Sequence, residues 1–155
     1  MSVLPGHAIT DGQLCALGFG PHTLDVERVG IVLPTGMGCE WRTLGDVPES
    51  PGVYAFTVED AEHQSVAYVG STSHLWMVTK GRLPHSGGSR PGNRYGRPLY
   101  AADGRVRINI LIAAEIKQGR RVRHWAQPLQ ASLLRAEEET LILRWRLREH
   151  GWNLR

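Results

Sequence analysis

Three sets of residues in this chain have types and spacing that could do chemistry. The first is a pair of tyrosines, Tyr54 in PGVYAFTVED and Tyr68 in QSVAYVGSTS, each close to a glycine and separated by the polar stretch EDAEHQ. A phenol beside a reacting group can orient water or take a proton, but a free phenol titrates near 10 and needs neighbouring cations to act as a base. The same rings would also serve as ordinary strand filling, since pleated surfaces favour aromatic residues.

The second is Glu138, in SLLRAEEETLILRWRLREHGWNLR. On a helical wheel of about 100° per residue, Leu134, Leu141, Ile142 and Trp145 share roughly a quarter of the circumference. Glu138 falls inside that apolar arc, Glu137 at its edge and Glu139 outside it. A carboxylate left unpaired on a core-facing stripe costs several kcal/mol, so it calls for a cation, a metal or an opening to solvent. Three consecutive acids are also what a solvated helix face looks like. One carboxylate with water suits a hard cation such as Mg²⁺ or Mn²⁺.

The third is a basic loop, GRLPHSGGSRPGNRYGRP, carrying Arg82, His85, Arg90, Arg94, Tyr95 and Arg97 just after Lys80. Residues 1–70 hold two arginines against nine acids, a balance of 2 − 9 = −7. Residues 71–155 hold sixteen Lys and Arg against six acids, or 16 − 6 = +10. Nearly all of this charge is guanidinium, which suits bidentate phosphate contact. Tyr95 could stack on a base and glycine permits close backbone approach. A solvated arginine-rich loop has the same composition. Trp125, Trp145 and Trp152 read as core residues rather than stacking platforms.

The elements that would position these groups follow from pattern. With 155 residues the chain can build one domain with a substantial core. A short helix fits 11–17 and a strand fits 26–34, followed by turn residues. Alternation predicts a hairpin from 53–58 and 65–69. Ser73 is placed to cap a helix over 75–80 that Gly81 ends. Asp103 could cap a second helix, with Val106, Ile110, Leu111, Ala114 and Ile116 on its apolar side and Gly119 closing it. A strand over 121–126 and one long helix over 132–149 complete the order. The expected fold is α+β: a small three-stranded, mainly antiparallel sheet flanked by helices, over residues 48–155. Residues 1–47 read as an N-terminal extension packed on that core.

No apolar run approaches the ~20 residues of a membrane helix, and the first residues lack a secretory pattern. Cys15 and Cys39 have neither CxxC spacing nor a histidine cluster, which suits free thiols, although one bridge between them is formally open. A cytoplasmic protein is expected. No phosphate-binding loop, dinucleotide fingerprint, zinc pattern or Ser-His-Asp signature is visible.

Taken together, PGVY at 51–54 and AYVG at 67–70 resemble the paired motif of the GIY-YIG nuclease superfamily, in the variants GVY and YVG. Glu138 with Leu141 and Ile142 resembles the family's metal-binding glutamate on a late helix, and Asn153 in GWNLR its terminal asparagine. RVRINILI at 105–112 is similar to a helix that some bacterial members carry between these landmarks. The likeness spans about residues 48–155. It implies a metal-dependent endonuclease acting on DNA with Mg²⁺ or Mn²⁺. Tyr54 and Tyr68 would then handle water and proton transfer, Glu138 would hold the metal and Asn153 would brace the site. Lys80, Arg90, Arg94 and Arg97 would contact the nucleic acid. A nuclease that breaks both strands would act as a dimer.

One landmark departs from the family. The usual helix arginine falls at Val78, and the nearest substitute is Arg82, four residues later. Two other readings therefore stand beside the nuclease: an inactive nucleic-acid-binding module, and the same scaffold turned to a small-molecule substrate.

Overall fold

The computed structural model describes residues 3–25, 42–80 and 104–154. Arg82, His85, Arg90, Arg94, Tyr95 and Arg97 lie outside the described residues, as do Cys39, Asp103 and the strand predicted over 26–34. Within them the chain is α+β, with a six-stranded sheet in which every neighbouring pair is antiparallel. The strands are β1 (His7–Ala8), β2 (Gly20–Asp25), β3 (Arg42–Thr43), β4 (Gly52–Glu59), β5 (Gln64–Thr72) and β6 (Arg121–Pro128), in spatial order β1-β5-β4-β6-β2-β3. The helices are α1 (Asp11–Ala16), α2 (Leu75–Lys80), α3 (Gly104–Lys117), α4 (Leu134–Arg144) and α5 (Leu147–His150).

The three central strands, β5, β4 and β6, are those the alternation predicts. The sheet is nevertheless wider than the expected three strands, because residues of the N-terminal segment pair into both of its edges. Their pattern conceals this. β1 and β3 have two residues each, and β2 reads GPHTLD, with a proline and no apolar alternation. Pairing with neighbours rather than intrinsic preference makes them strands.

β4 is buried along nearly its whole length, with apolar residues facing both sides. Tyr54, Phe56 and Val58 join Ile108, Ile112 and Ala113 of α3, with Leu75 and Val78 of α2. Val53 and Ala55 join Leu14 of α1, Leu141 and Ile142 of α4 and Leu147 of α5. The helices therefore cover both faces of a doubly buried sheet. A bulge shifts the register so that Phe56 faces Tyr68 and Thr57 faces Val66, leaving Ala67 as the extra residue of β5.

The single long helix expected over 132–149 is broken. Residues Ala131–Leu133 form a 3₁₀ turn, α4 ends at Arg144, and Arg146 adopts a left-handed conformation (φ 52°, ψ 43°) before α5. The turn at Arg146 lets Trp145 and Leu147 both bury, which a straight helix would place about 200° apart. The helix over 75–80 forms, but Thr72 rather than Ser73 supplies its leading contact, accepting the His74 N–H at 3.1 Å. α3 stops at Gly119 as expected, in the positive-φ conformation that closes helices. No helix among the described residues is long and apolar enough to cross a membrane, and Cys15 is an exposed free thiol.

Candidate functional site

Four consecutive residues of β5, Tyr68 to Ser71, gather the residues singled out from the sequence. Tyr68 is itself the first. Its ring centre lies 6.2 Å from that of Tyr54. At the next position Asn153 grips the backbone: its Oδ1 accepts the Val69 N–H at 3.1 Å and its Nδ2 donates to the Val69 carbonyl at 2.8 Å. β1 pairs with β5 only at Ser65 and Val66, so the amide serves as a partner strand where β1 has ended.

Gly70 stands directly opposite Tyr54. A Cβ there would fall 2.4 Å from Tyr54 Cζ and 2.5 Å from Oη, so the tyrosine ring occupies the space a side chain would need. Gly52 is required in the same way. A Cβ on it would meet the Gln127 carbonyl and Leu75 Cδ1, each at 2.4 Å, where α2 presses onto the sheet. The two glycines of the paired motif are thus set by close approach. At the fourth position the Ser71 hydroxyl donates a short hydrogen bond to Glu138 Oε2.

The three consecutive glutamates of α4 have different fates. Glu139 is exposed and pairs with Arg148 through both oxygens, at 2.7 and 2.8 Å. That hydrogen bond holds its carboxyl below the usual carboxylate range. Glu137 makes no hydrogen bond among the described residues. Glu138, half-buried, reaches the sheet and is fixed there by Ser71. It is the member of the run with one carboxylate oxygen oriented by a hydroxyl of the sheet. Among the described residues no three acids, histidines or cysteines cluster as a multidentate metal site.

Strand alternation divides the cluster. Tyr54 and Gly70 lie on the α3 side of the sheet, while Val53 and Ser71, one residue removed on each strand, face α4. The Glu138 carboxylate therefore meets β5 from the opposite face to the tyrosine pair. Exposure also differs within the pair: Tyr54 is 1 % exposed, whereas Tyr68 is half-buried at the rim of the core. Tyr68 is the more exposed phenol of the pair.

The rings form a row across the sheet. Cross-strand register aligns Tyr68, Phe56, His124 and His22 on β5, β4, β6 and β2. Successive ring centres are 6.2, 5.6 and 5.6 Å apart. Tyr54 stacks on His124 from one side, at 6.0 Å and 19° between planes.

Val78 is fully buried between α2 and the sheet. A cation could not project from that position into solvent, and Lys80 ends the same helix. One residue that the sequence did not single out stands nearer. Arg107 of α3 donates from Nη1 to the Trp152 carbonyl at 2.5 Å, one residue before Asn153, while the Trp152 N–H donates to the Ala67 carbonyl at 2.7 Å. The half-buried Arg107 has no carboxylate partner among the described residues. By contrast, Arg120, Arg121, Arg123, Arg146 and Arg148 each pair with an acid. In the sequence nothing separates Arg107 from Arg105 and Lys117 on the same helix.

Comparison of the chain with family models, with curated proteins and with solved structures finds no match.

Proposed function

We propose that this chain is a divalent-metal-dependent endonuclease of the GIY-YIG type, hydrolysing phosphodiester bonds in DNA. The observation that carries this reading is the convergence on Tyr68–Ser71. A tyrosine pair, an asparagine clamp, a glycine under a ring and an oriented glutamate, scattered over 100 residues of sequence, meet within four residues of one strand.

Each residue then has a role consistent with its place. Tyr68, at the rim, orients the attacking water or receives its proton. Tyr54, locked in the core, holds Tyr68 and Gly70 in position. Asn153 keeps the exposed edge of β5 straight beside Tyr68. Ser71 fixes the rotamer of Glu138, which would hold the cation. When bound, a Mg²⁺ or Mn²⁺ ion supplies positive charge against the phosphate oxygens. Arg107, without an acidic partner among the described residues, and Arg82 from the basic loop are the candidates for direct phosphate contact. A phosphodiester lying across the Gly70–Thr72 end of β5 could reach groups on both faces of the strand.

The test is incubation with supercoiled plasmid and single-stranded DNA in Mg²⁺, Mn²⁺ and EDTA, for wild type and Glu138→Ala. Metal-dependent nicking that Glu138→Ala abolishes supports the nuclease. Cleavage that survives Glu138→Ala overturns the glutamate's role.

One observation favours a second reading, an inactive nucleic-acid-binding module: the helix position that usually carries the arginine is the buried Val78. Salt-dependent DNA binding without cleavage in any metal would select it.

A further inference from the structure

His124 is completely buried, and among the described residues neither ring nitrogen has a hydrogen-bond partner. A neutral imidazole carries one N–H donor and one lone pair, and leaving both unmet in the interior is costly. A buried polar group without a partner calls for an explanation such as a water or an ion. The ring already has aromatic neighbours on three sides, Tyr54, Phe56 and His22. Of these, His22 is the one with a ligating atom of the same kind.

His22 and His124 are direct cross-strand partners on β2 and β6, with ring centres 5.6 Å apart and planes tilted by 48°. The Nε2 of His22 lies 3.1 Å from the Asp46 carbonyl. A carbonyl only accepts, so Nε2 carries the proton and the lone pair of the neutral ring sits on Nδ1. Metal-bound histidines use this arrangement: the second nitrogen donates to a backbone carbonyl, which fixes tautomer and ring orientation. The distance agrees as well. With a metal–nitrogen bond of about 2.0–2.1 Å, the ion sits roughly 3.2 Å from each ring centre, and the observed separation then corresponds to an angle of roughly 120° at the metal, close to tetrahedral.

We propose that His22 and His124 form a two-histidine site for a borderline transition-metal ion, of which Zn²⁺ is the type, with water completing the coordination. Imidazole pairs favour Zn²⁺, Co²⁺, Ni²⁺ and Cu²⁺ over the hard, oxygen-seeking Mg²⁺. The site is separate from Glu138, which lies across the sheet. The ion would tie β2, contributed by the N-terminal residues, to β6 of the central sheet. It would also end the ring row that begins at Tyr68.

The experiment is equilibrium dialysis of the full chain against Zn²⁺ alone. The visible spectrum of the Co²⁺-loaded protein and the thermal midpoint with and without Zn²⁺ are recorded alongside. Wild type should bind one equivalent, show the intense absorption of tetrahedral cobalt and melt higher with Zn²⁺. His22→Gln, at a half-buried position, should weaken binding at least tenfold and remove the midpoint shift. His124→Phe, which keeps an aromatic ring against Tyr54 and Phe56, should do the same. Should His124→Phe fail to fold, His22→Gln decides alone. No Zn²⁺ retained by wild type overturns the proposal. So does undiminished retention by His22→Gln, which would assign the ion to surface histidines.

Discussion

Gly70→Ala isolates the contact that ties the two halves of the tyrosine motif together. The new Cβ would stand 2.4 Å from Tyr54 Cζ and 2.5 Å from Oη. Carbon–carbon contacts settle near 3.5–4.0 Å, so the ring must retreat by roughly 1 Å. It has little room to do so, being 1 % exposed and bounded by Phe56, Tyr68 and the stacked His124. Overpacking of this kind costs about 1–3 kcal/mol. Replacing glycine in a strand returns about 0.5–1 kcal/mol of backbone entropy, which offsets only part of it. A net loss of about 1–2 kcal/mol corresponds to a fall in melting temperature of about 2–8 °C for a chain of this size. The assay is urea and thermal unfolding of wild type, Gly70→Ala, Tyr54→Leu and the double variant. If the steric account is right, alanine costs little or even stabilises once the ring is gone, and the coupling between the sites equals most of the single-variant loss. An alanine cost that is undiminished in the Tyr54→Leu background would refute the reasoning.

Three further outcomes follow from the same geometry. Asn153→Ala strips the Val69 N–H and C=O of their partner, so the Val69 amide should exchange with solvent at least tenfold faster while amides in β4 stay protected; equal protection would remove the clamp from the argument. Thr57→Val keeps the shape of the side chain but leaves the buried Trp125 indole N–H, now bonded at 2.9 Å, without an acceptor; unfolding free energy should fall by about 1–3 kcal/mol, and an unchanged urea midpoint would contradict it. His124 sets an acid limit: above pH 6.5 folded and unfolded chains both hold it neutral, whereas below 6.5 the unfolded chain gains a proton that the buried ring refuses down to about 3. Stability should therefore drop as pH falls through that window, by up to about 1.4 kcal/mol per pH unit. His124→Phe should flatten the decline, and an identical slope in both proteins would assign it to other groups.

Particular elements show how far the sequence reaches. The hairpin of β4 and β5 is legible because its alternation is strong and Pro51, Gly52 and EDAEHQ punctuate it. α1 forms close to the expected 11–17, but the reciprocal capping of Thr10 and Gln13 that starts it is not singled out in the sequence. The singling out of Glu138 from its two neighbours is also legible, since a wheel is local geometry and the apolar arc needs no tertiary contact. Strand alternation and the wheel position of one residue are properties of short stretches, and these the sequence carries by itself.

Other features required the fold. Edge strands of two residues carry no pattern and exist only through their neighbours. The break at Arg146 follows from burying Trp145 and Leu147 together, a demand set by the sheet beneath them. Arg107 gains meaning only when its lack of an acidic partner among the described residues is set against the ion pairs of other arginines, and His22 meets His124 across 102 positions of sequence because β2 lies beside β6. The division of Tyr54 and Glu138 between two faces is likewise decided by register, where a shift of one residue would reverse it. What depends on one segment's own chemistry was written in the chain. What depends on which segments become neighbours was decided by long-range pairing and the packing of both sheet faces.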